Sequence, residues 1–272
     1  MASVAGAIAA LAWPTHHVGT WIAGRPLRRH RRPVLPRVER SAGSAVAGRD
    51  RAGARWLDCA AEEKASIGAF EELAAHLVRL GAPSELVDRG RRAARDEQQH
   101  TDACLTMAAQ LGHPGSLGAL PPSRRRVDRP IPTRLRRAHL EILVRESIVD
   151  GMIGEALAAE RLRVGGANAS SASIRQITAR LAADERAHAA LAADIVRWCA
   201  HVEPRATRRQ IRWVRHRLRH DSFDAGADGS PPTAEDVAAG FVDEAQAQWC
   251  WRTVRRHALA QLAAIEEDLS PR

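Results

Sequence analysis

The sequence predicts an all-α protein: a four-helix bundle with a long crossover between its second and third helices, followed by additional C-terminal helices. Three observations carry this expectation. Alanine and arginine dominate the 272 residues, a composition that favours helix. Four long stretches repeat apolar residues at spacings of three and four, the period of a helix with one buried face. Within two of those stretches lie twin motifs, Asp96-Glu97-Gln98-Gln99-His100 and Asp184-Glu185-Arg186-Ala187-His188. With 15 Asp, 17 Glu and 12 His in the chain, chance supplies one such Asp-Glu-x-x-His about 0.04 times. Two copies therefore mark a built feature.

The first helix is expected over about Trp56–Leu80, with Ile67, Phe70, Ala74 and Leu77 on its apolar stripe. Glu63 falls on that stripe, while Glu62, Glu71 and Glu72 do not. Gly81-Ala82-Pro83-Ser84 ends the helix, and Ser84 is expected to cap the second. The second helix spans about Ser84–Leu111 and gathers Leu86, Ala93, Glu97, His100, Cys104, Met107 and Leu111 on one face. A carboxylate and an imidazole on an apolar face are costly unless paired or coordinated. Residues 112–132, rich in Pro, Gly and Arg, form the crossover that a bundle of this connectivity needs.

The third helix, about Pro132–Val164, places Val144, Ile148, Met152, Glu155, Ala159 and Leu162 on its stripe. Glu146 precedes Glu155 by nine residues, which at 100° per residue turns it to the opposite side. Glu155 is the candidate ligand, with Glu146 or Asp150 as second choice. Gly151 and Gly154 permit close packing beside it. Gly165-Gly166-Ala167-Asn168 reads as a turn. The fourth helix, about Ser170–His201, points Ile174, Ile177, Leu181, Glu185, His188, Leu191 and Ile195 inward. The separation from Glu63 to Glu97 is 34 residues and from Glu155 to Glu185 is 30, so the pattern of a Glu helix followed by an Asp-Glu-x-x-His helix occurs twice. Two Glu and two Glu-x-x-His projecting inward are the ligand set of di-iron and di-manganese bundles.

The flanks differ in composition. Residues 1–54 are expected to be a basic, poorly structured leader. Ala2–Trp13 is apolar but too short to span a membrane, and no basic residue precedes it as in a signal peptide. A basic run from Arg25 to Pro33 follows. Residues 55–202 hold the bundle, and 203–272 a helical extension. Within that extension, Arg205–His220 reads as a basic amphipathic helix, and Thr233 as the cap of a last helix running to about Asp268. Net charge is +9, with Lys64 the sole lysine. Four widely spaced cysteines form no Cys-x-x-Cys, which argues against a zinc ribbon or disulfide scaffold and fits a cytoplasmic chain. Tyrosine is absent, so no tyrosyl radical can form.

The order Glu63, Glu97-x-x-His100, Glu155, Glu185-x-x-His188 resembles the ferritin-like di-iron carboxylate superfamily. Glu63-Lys64-Ala65-Ser66-Ile67-Gly68-Ala69-Phe70 and Gly151-Met152-Ile153-Gly154-Glu155 look like stretches of bacterial ferritin-like domain proteins. The doubled Asp-Glu-x-x-His is also similar to the hydroxylase subunits of bacterial multicomponent monooxygenases. The resemblance covers about residues 56–201. It implies that Glu63, Glu97 and His100 bind one iron and Glu155, Glu185 and His188 the other, with one or more glutamates bridging. It further implies that Asp96 and Asp184 orient the histidines. Manganese or a mixed iron and manganese pair suits the same ligands.

The leading functional expectation is a non-haem di-iron oxidase or oxygenase that activates O₂ against an organic substrate, with an external electron donor. The alternatives are an iron-handling ferroxidase or peroxide scavenger, and a ferritin-like protein that binds tRNA or another polyanion through its arginine helix, as a tRNA hydroxylase would. No membrane span is expected.

Overall fold

The computed structural model describes residues 25, 27–29, 32–40, 49–120, 131–220 and 232–269, and the fold is all-α. Most of the residues expected to form the leader (1–24, 26, 30, 31 and 41–48) lie outside the described residues.

Two helical hairpins carry the ligand candidates. In the first, α1 (Arg49–Leu80) packs along α2 (Ser84–Gln110). Gly81, at φ +68°, turns the chain between them, so that Ala82 N–H donates to the Leu77 carbonyl and Gly81 N–H to that of Val78. This closes the exposed carbonyls of the last turn, and only glycine adopts that backbone conformation without strain. Pro83, not Ser84, occupies the capping position of α2, and Ser84 is its first helical residue. Proline's fixed φ sets the helix entry, and no side-chain cap bond forms there.

The second hairpin pairs a long rod with α5 (Ala172–Val202). The rod comprises α3 (Thr133–Glu146), a π-helical stretch (Ser147–Glu155) and α4 (Ala156–Asn168). The π stretch and α4 pack on α5, and α5 packs on α2, which joins the two hairpins. The turn expected at Gly165-Gly166 is absent, and helix continues to Asn168. These glycines serve close approach: a Cβ at Gly165 would stand 2.0 Å from the Gly240 carbonyl, and one at Gly166 would stand 2.1 Å from Thr178 Oγ1. Gly151 works likewise inside the π stretch, where a Cβ would meet the Ala192 Cβ at 2.3 Å. Gly151→Ala should therefore push the π stretch off α5 and lower stability by about 1–3 kcal/mol, the usual cost of overpacking, measured by chemical denaturation. An unchanged midpoint would mean the contact relaxes freely.

The expected amphipathic helix is α6 (Pro204–His220), buried through Ile211, Val214 and Leu218 against α3, α5 and α8 (Glu244–Asp268). Several of its arginines engage the rest of the fold. Arg209 pairs with Glu141, and Arg212 and Arg215 both pair with Glu266, while Arg217 lies over Trp213 of the same helix. Beneath it the buried Arg145 donates from Nε and Nη2 to Gln210 Oε1 and stacks on Trp213.

The last helix expected from Thr233 is instead two helices. A short α7 (Ala234–Ala238) opens on a capping box between Thr233 and Asp236. Gly240, at φ +95°, then breaks the chain, and Asp243 caps α8 with Gln246. The break is fastened from outside: Trp56 Nε1–H donates to the Ala239 carbonyl, and Arg51 and Arg55 lie 3.4 and 3.5 Å from the buried Asp236 carboxylate. These partners are far apart in sequence, so the local pattern did not reveal the break.

Part of the expected leader is ordered. Strands β1 (Arg28–Arg29) and β2 (Arg32–Pro33) pair with each other, and β3 (Val38–Arg40) pairs with β4 (Gly115–Leu117) of the crossover. Leu27 fills a patch of small residues on α1 made by Ala65, Gly68 and Ala69. Residues 121–130 of the crossover lie outside the described residues. No helix among the described residues is long and apolar enough to cross a membrane.

Candidate metal centre

Four helical segments deliver the six candidate side chains to one level of the fold. Glu63 comes from α1, Glu97 and His100 from α2, Glu155 from the end of the π stretch, and Glu185 and His188 from α5. All six are buried, with Glu97, His100, Glu155 and Glu185 fully so. They form a polar layer between two apolar clusters. One holds Phe70, Ile148, Leu191 and Ile195, and the other holds Trp56, Cys104, Met107 and Leu181. Along each helix the ligand candidates fall where one cluster gives way to the other.

Each histidine turns Nδ1 towards the carboxylates. His100 Nδ1 is 3.3 Å from Glu185 Oε1, 3.6 Å from Glu97 Oε2 and 3.7 Å from Glu63 Oε2. His188 Nδ1 is 3.3 Å from both Glu97 Oε1 and Glu185 Oε2. Glu97 and Glu185 thus each offer one oxygen to either imidazole, while Glu63 stands on the His100 side. Two overlapping groups result: Glu63, Glu97, His100 and Glu185, and Glu97, Glu155, Glu185 and His188. In each group the ligand atoms lie within 4.8 Å of one another. These buried side chains could hold a metal ion.

The other ring nitrogen is held crosswise. His100 Nε2 lies 3.2 Å from Asp184 Oδ2, and His188 Nε2 lies 3.3 Å from Asp96 Oδ2. Each aspartate therefore serves the histidine of the opposite helix. The resemblance paired the same residue types but did not indicate this exchange, which needs α2 and α5 side by side. With Nε2–H donated to an aspartate, Nδ1 is the nitrogen left to coordinate a metal. Asp184→Asn and Asp96→Asn should each weaken metal affinity by about 10–100-fold, read by competition with a chelator. Affinity equal to the parent's would make these aspartates ordinary helix charges.

Electrostatics within the cluster point the same way. Burial pushes the carboxyls of Glu63 and Glu155 well above the usual range, and neighbouring carboxylates (Glu97 for Glu63, Glu185 for Glu155) push them further. Burial also disfavours charge on the imidazoles, but Asp184 and Glu185 at His100, and Asp96 and Glu185 at His188, outweigh it and hold both rings protonated. Burial opposes ionisation of Glu97 and Glu185 as well, yet the adjacent imidazoles of His100 and His188 prevail, and both stay below the usual range. Metal entering this cluster would displace protons.

Hydrogen bonding is the test of fit. Glu63 Oε1, both oxygens of Glu97 and of Glu155, Glu185 Oε1 and His100 Nδ1 are buried and have no hydrogen-bond partner. Buried polar atoms are nearly always satisfied, and so many orphans in one layer match a group that would bind metal through those atoms. No protein-family model, curated protein or solved structure matches the chain. The metal reading rests on these side chains.

The alternative candidates on the third helix fall elsewhere. Glu146 is only half-buried, and Asp150, though buried, belongs to neither group. Glu155 reaches the layer, but for a different reason from the expected one. In π geometry each residue turns the helix less, so nine residues make about two turns and no half-turn offset remains. Glu146 is excluded by its distance along the rod. Arg186 is exposed. One neighbour went unassigned by sequence: the Phe70 ring lies 4.9 Å from that of His188. Phe70 was legible only as a core residue of the first helix.

Proposed function

We propose that the chain is a ferritin-like di-metal oxidoreductase, an oxidase or oxygenase acting with O₂ on an organic substrate. The observation that carries the reading is the pair of buried ligand groups sharing Glu97 and Glu185. Two shared carboxylates with one private Glu and one His on each side suit two metal ions in a four-helix bundle.

In this reading Glu63 and His100 would hold one ion and Glu155 and His188 the other, with Glu97 and Glu185 within reach of both. Hard oxygen donors with a few nitrogens suit iron, manganese or a mixed pair, and four carboxylates balance two divalent ions. Once bound, iron would supply redox chemistry with dioxygen. The chain's own part is positional. Asp96 and Asp184 fix the imidazole orientation, the two apolar clusters exclude water from either side, and Phe70 packs on His188. An external protein or small molecule would provide electrons.

Anaerobic loading with ferrous iron or manganese should leave roughly two ions per chain by elemental analysis, and the reduced, iron-loaded protein should consume O₂. A chain that retains neither metal removes the reading. Retention of manganese alone keeps the site and removes the oxygenase.

A further inference from the structure

Three arginines among the described residues are buried: Arg25, Arg145 and Arg161. Arg145 is satisfied by Gln210 and Trp213. Arg161 Nε also lacks a hydrogen-bond partner, but the Glu62 carboxylate acts on its charge and it makes other interactions. Arg25 is placed differently. Its Nε is buried without a hydrogen-bond partner, and none of the described carboxylates forms an ion pair with it. A buried guanidinium lacking an acceptor is unfavourable unless an anion arrives to pair with it.

Its position is informative. α1 and the π stretch share no extended packing, and Arg25 stands between them. Its guanidinium lies 5.7 Å from the Phe70 ring centroid on α1, and its Nη2 lies 3.4 Å from where a Cβ of Gly151 would sit. Gly151 is one turn before Glu155, and the same Phe70 ring is 4.9 Å from His188. Thus one aromatic ring touches both the unpaired cation and a metal-ligand candidate. Leu27, two residues on, is anchored against Ala65, Gly68 and Ala69, which fixes Arg25 in this gap.

We propose that Arg25 anchors the carboxylate of an organic substrate whose hydrocarbon body lies along Phe70 towards the metal centre. This rests on the oxidoreductase reading and adds a substrate class to it. A carboxylate accepts two parallel N–H bonds from one guanidinium edge, here including Nε–H. The neighbouring phenyl ring suits a hydrocarbon body. Arg25 is a binding residue, and no chemical step is assigned to it.

The test titrates hexanoate and benzoate, against hexanamide and benzamide, into the full chain by calorimetry, metal-free and metal-loaded. Carboxylates should bind at least about tenfold tighter than their amides, as a charge-assisted hydrogen bond gives. Arg25→Met should erase that difference while the melting temperature holds or rises, because an unpaired buried charge has been removed. Arg25→Lys, which keeps the charge, should retain part of it. A parent chain that does not separate carboxylate from amide overturns the proposal. So does Arg25→Met that still separates them, or Arg25→Lys that separates them no better than Arg25→Met. Metal content is measured on the same samples. Arg25-dependent carboxylate binding in a chain that holds no metal sinks the oxidoreductase reading alone, and a loaded chain indifferent to carboxylates sinks only this inference.

Discussion

Glu155→Ala should cost the chain most of its metal, with apparent affinity falling by more than about 100-fold, while Glu146→Ala should load like the parent. The scale follows from position. Changing a group that only orients a ligand costs about 10–100-fold, and Glu155 belongs to a ligand group itself, fully buried with both oxygens unpartnered. Glu146 is half-buried near the start of the π stretch, about two turns away, and belongs to neither group. Metal per chain after anaerobic loading and desalting, for both variants and the parent, decides the matter. Alanine at 155 also relieves the burial penalty on a carboxyl that Glu185 repels, so the metal-free variant should be at least as stable as the metal-free parent. Loss of folding with loss of metal would make Glu155 structural. The reverse pattern, with Glu146→Ala losing metal, would place the ligand layer about two turns nearer the start of the rod.

Excess ferrous iron added in air should be oxidised only up to about the site's own two ions per chain, with no growth in assembly size. The reasoning concerns what surrounds the ligands. The layer lies between two apolar clusters, and the helices α6, α7 and α8 pack on the helical segments that carry it. Under the proposed function such a site would retain its own metals rather than pass iron onward. Iron uptake followed by absorbance, with light scattering or gel filtration on the same sample, reads both quantities. Sustained oxidation of many irons per chain inside a growing or cage-like assembly would overturn the oxygenase reading in favour of iron handling.

The arginine helix shows how packing changes the reading of charge. As a sequence, seven arginines in sixteen residues suggested a polyanion partner. In the fold, Ile211, Val214 and Leu218 dock it, and Glu141 and Glu266 take up three of the arginines. Those glutamates lie about 70 residues before and 50 after their partners, beyond the reach of any local pattern.

The sequence by itself determined the helical class, the stripes that face inward and the six side chains worth watching. The physical reason is periodicity. A carboxylate or imidazole on an apolar face stands out because its burial is costly, and helix geometry converts spacing directly into a shared face. Tertiary structure decided what spacing could not encode. It set Asp184 on His100 and Asp96 on His188, since only side-by-side helices can exchange acceptors. It made Glu97 and Glu185 the shared carboxylates, each within reach of both imidazoles. It widened Ser147–Glu155 into π geometry, closed on α5 through Gly151. It split the last helix at Gly240 because Trp56, Arg51 and Arg55, almost two hundred residues away, hold the break in place. It also drew Arg25 out of an apparently unstructured leader to a buried place beside Phe70, for burial of a charge depends on neighbours that a linear sequence does not bring together.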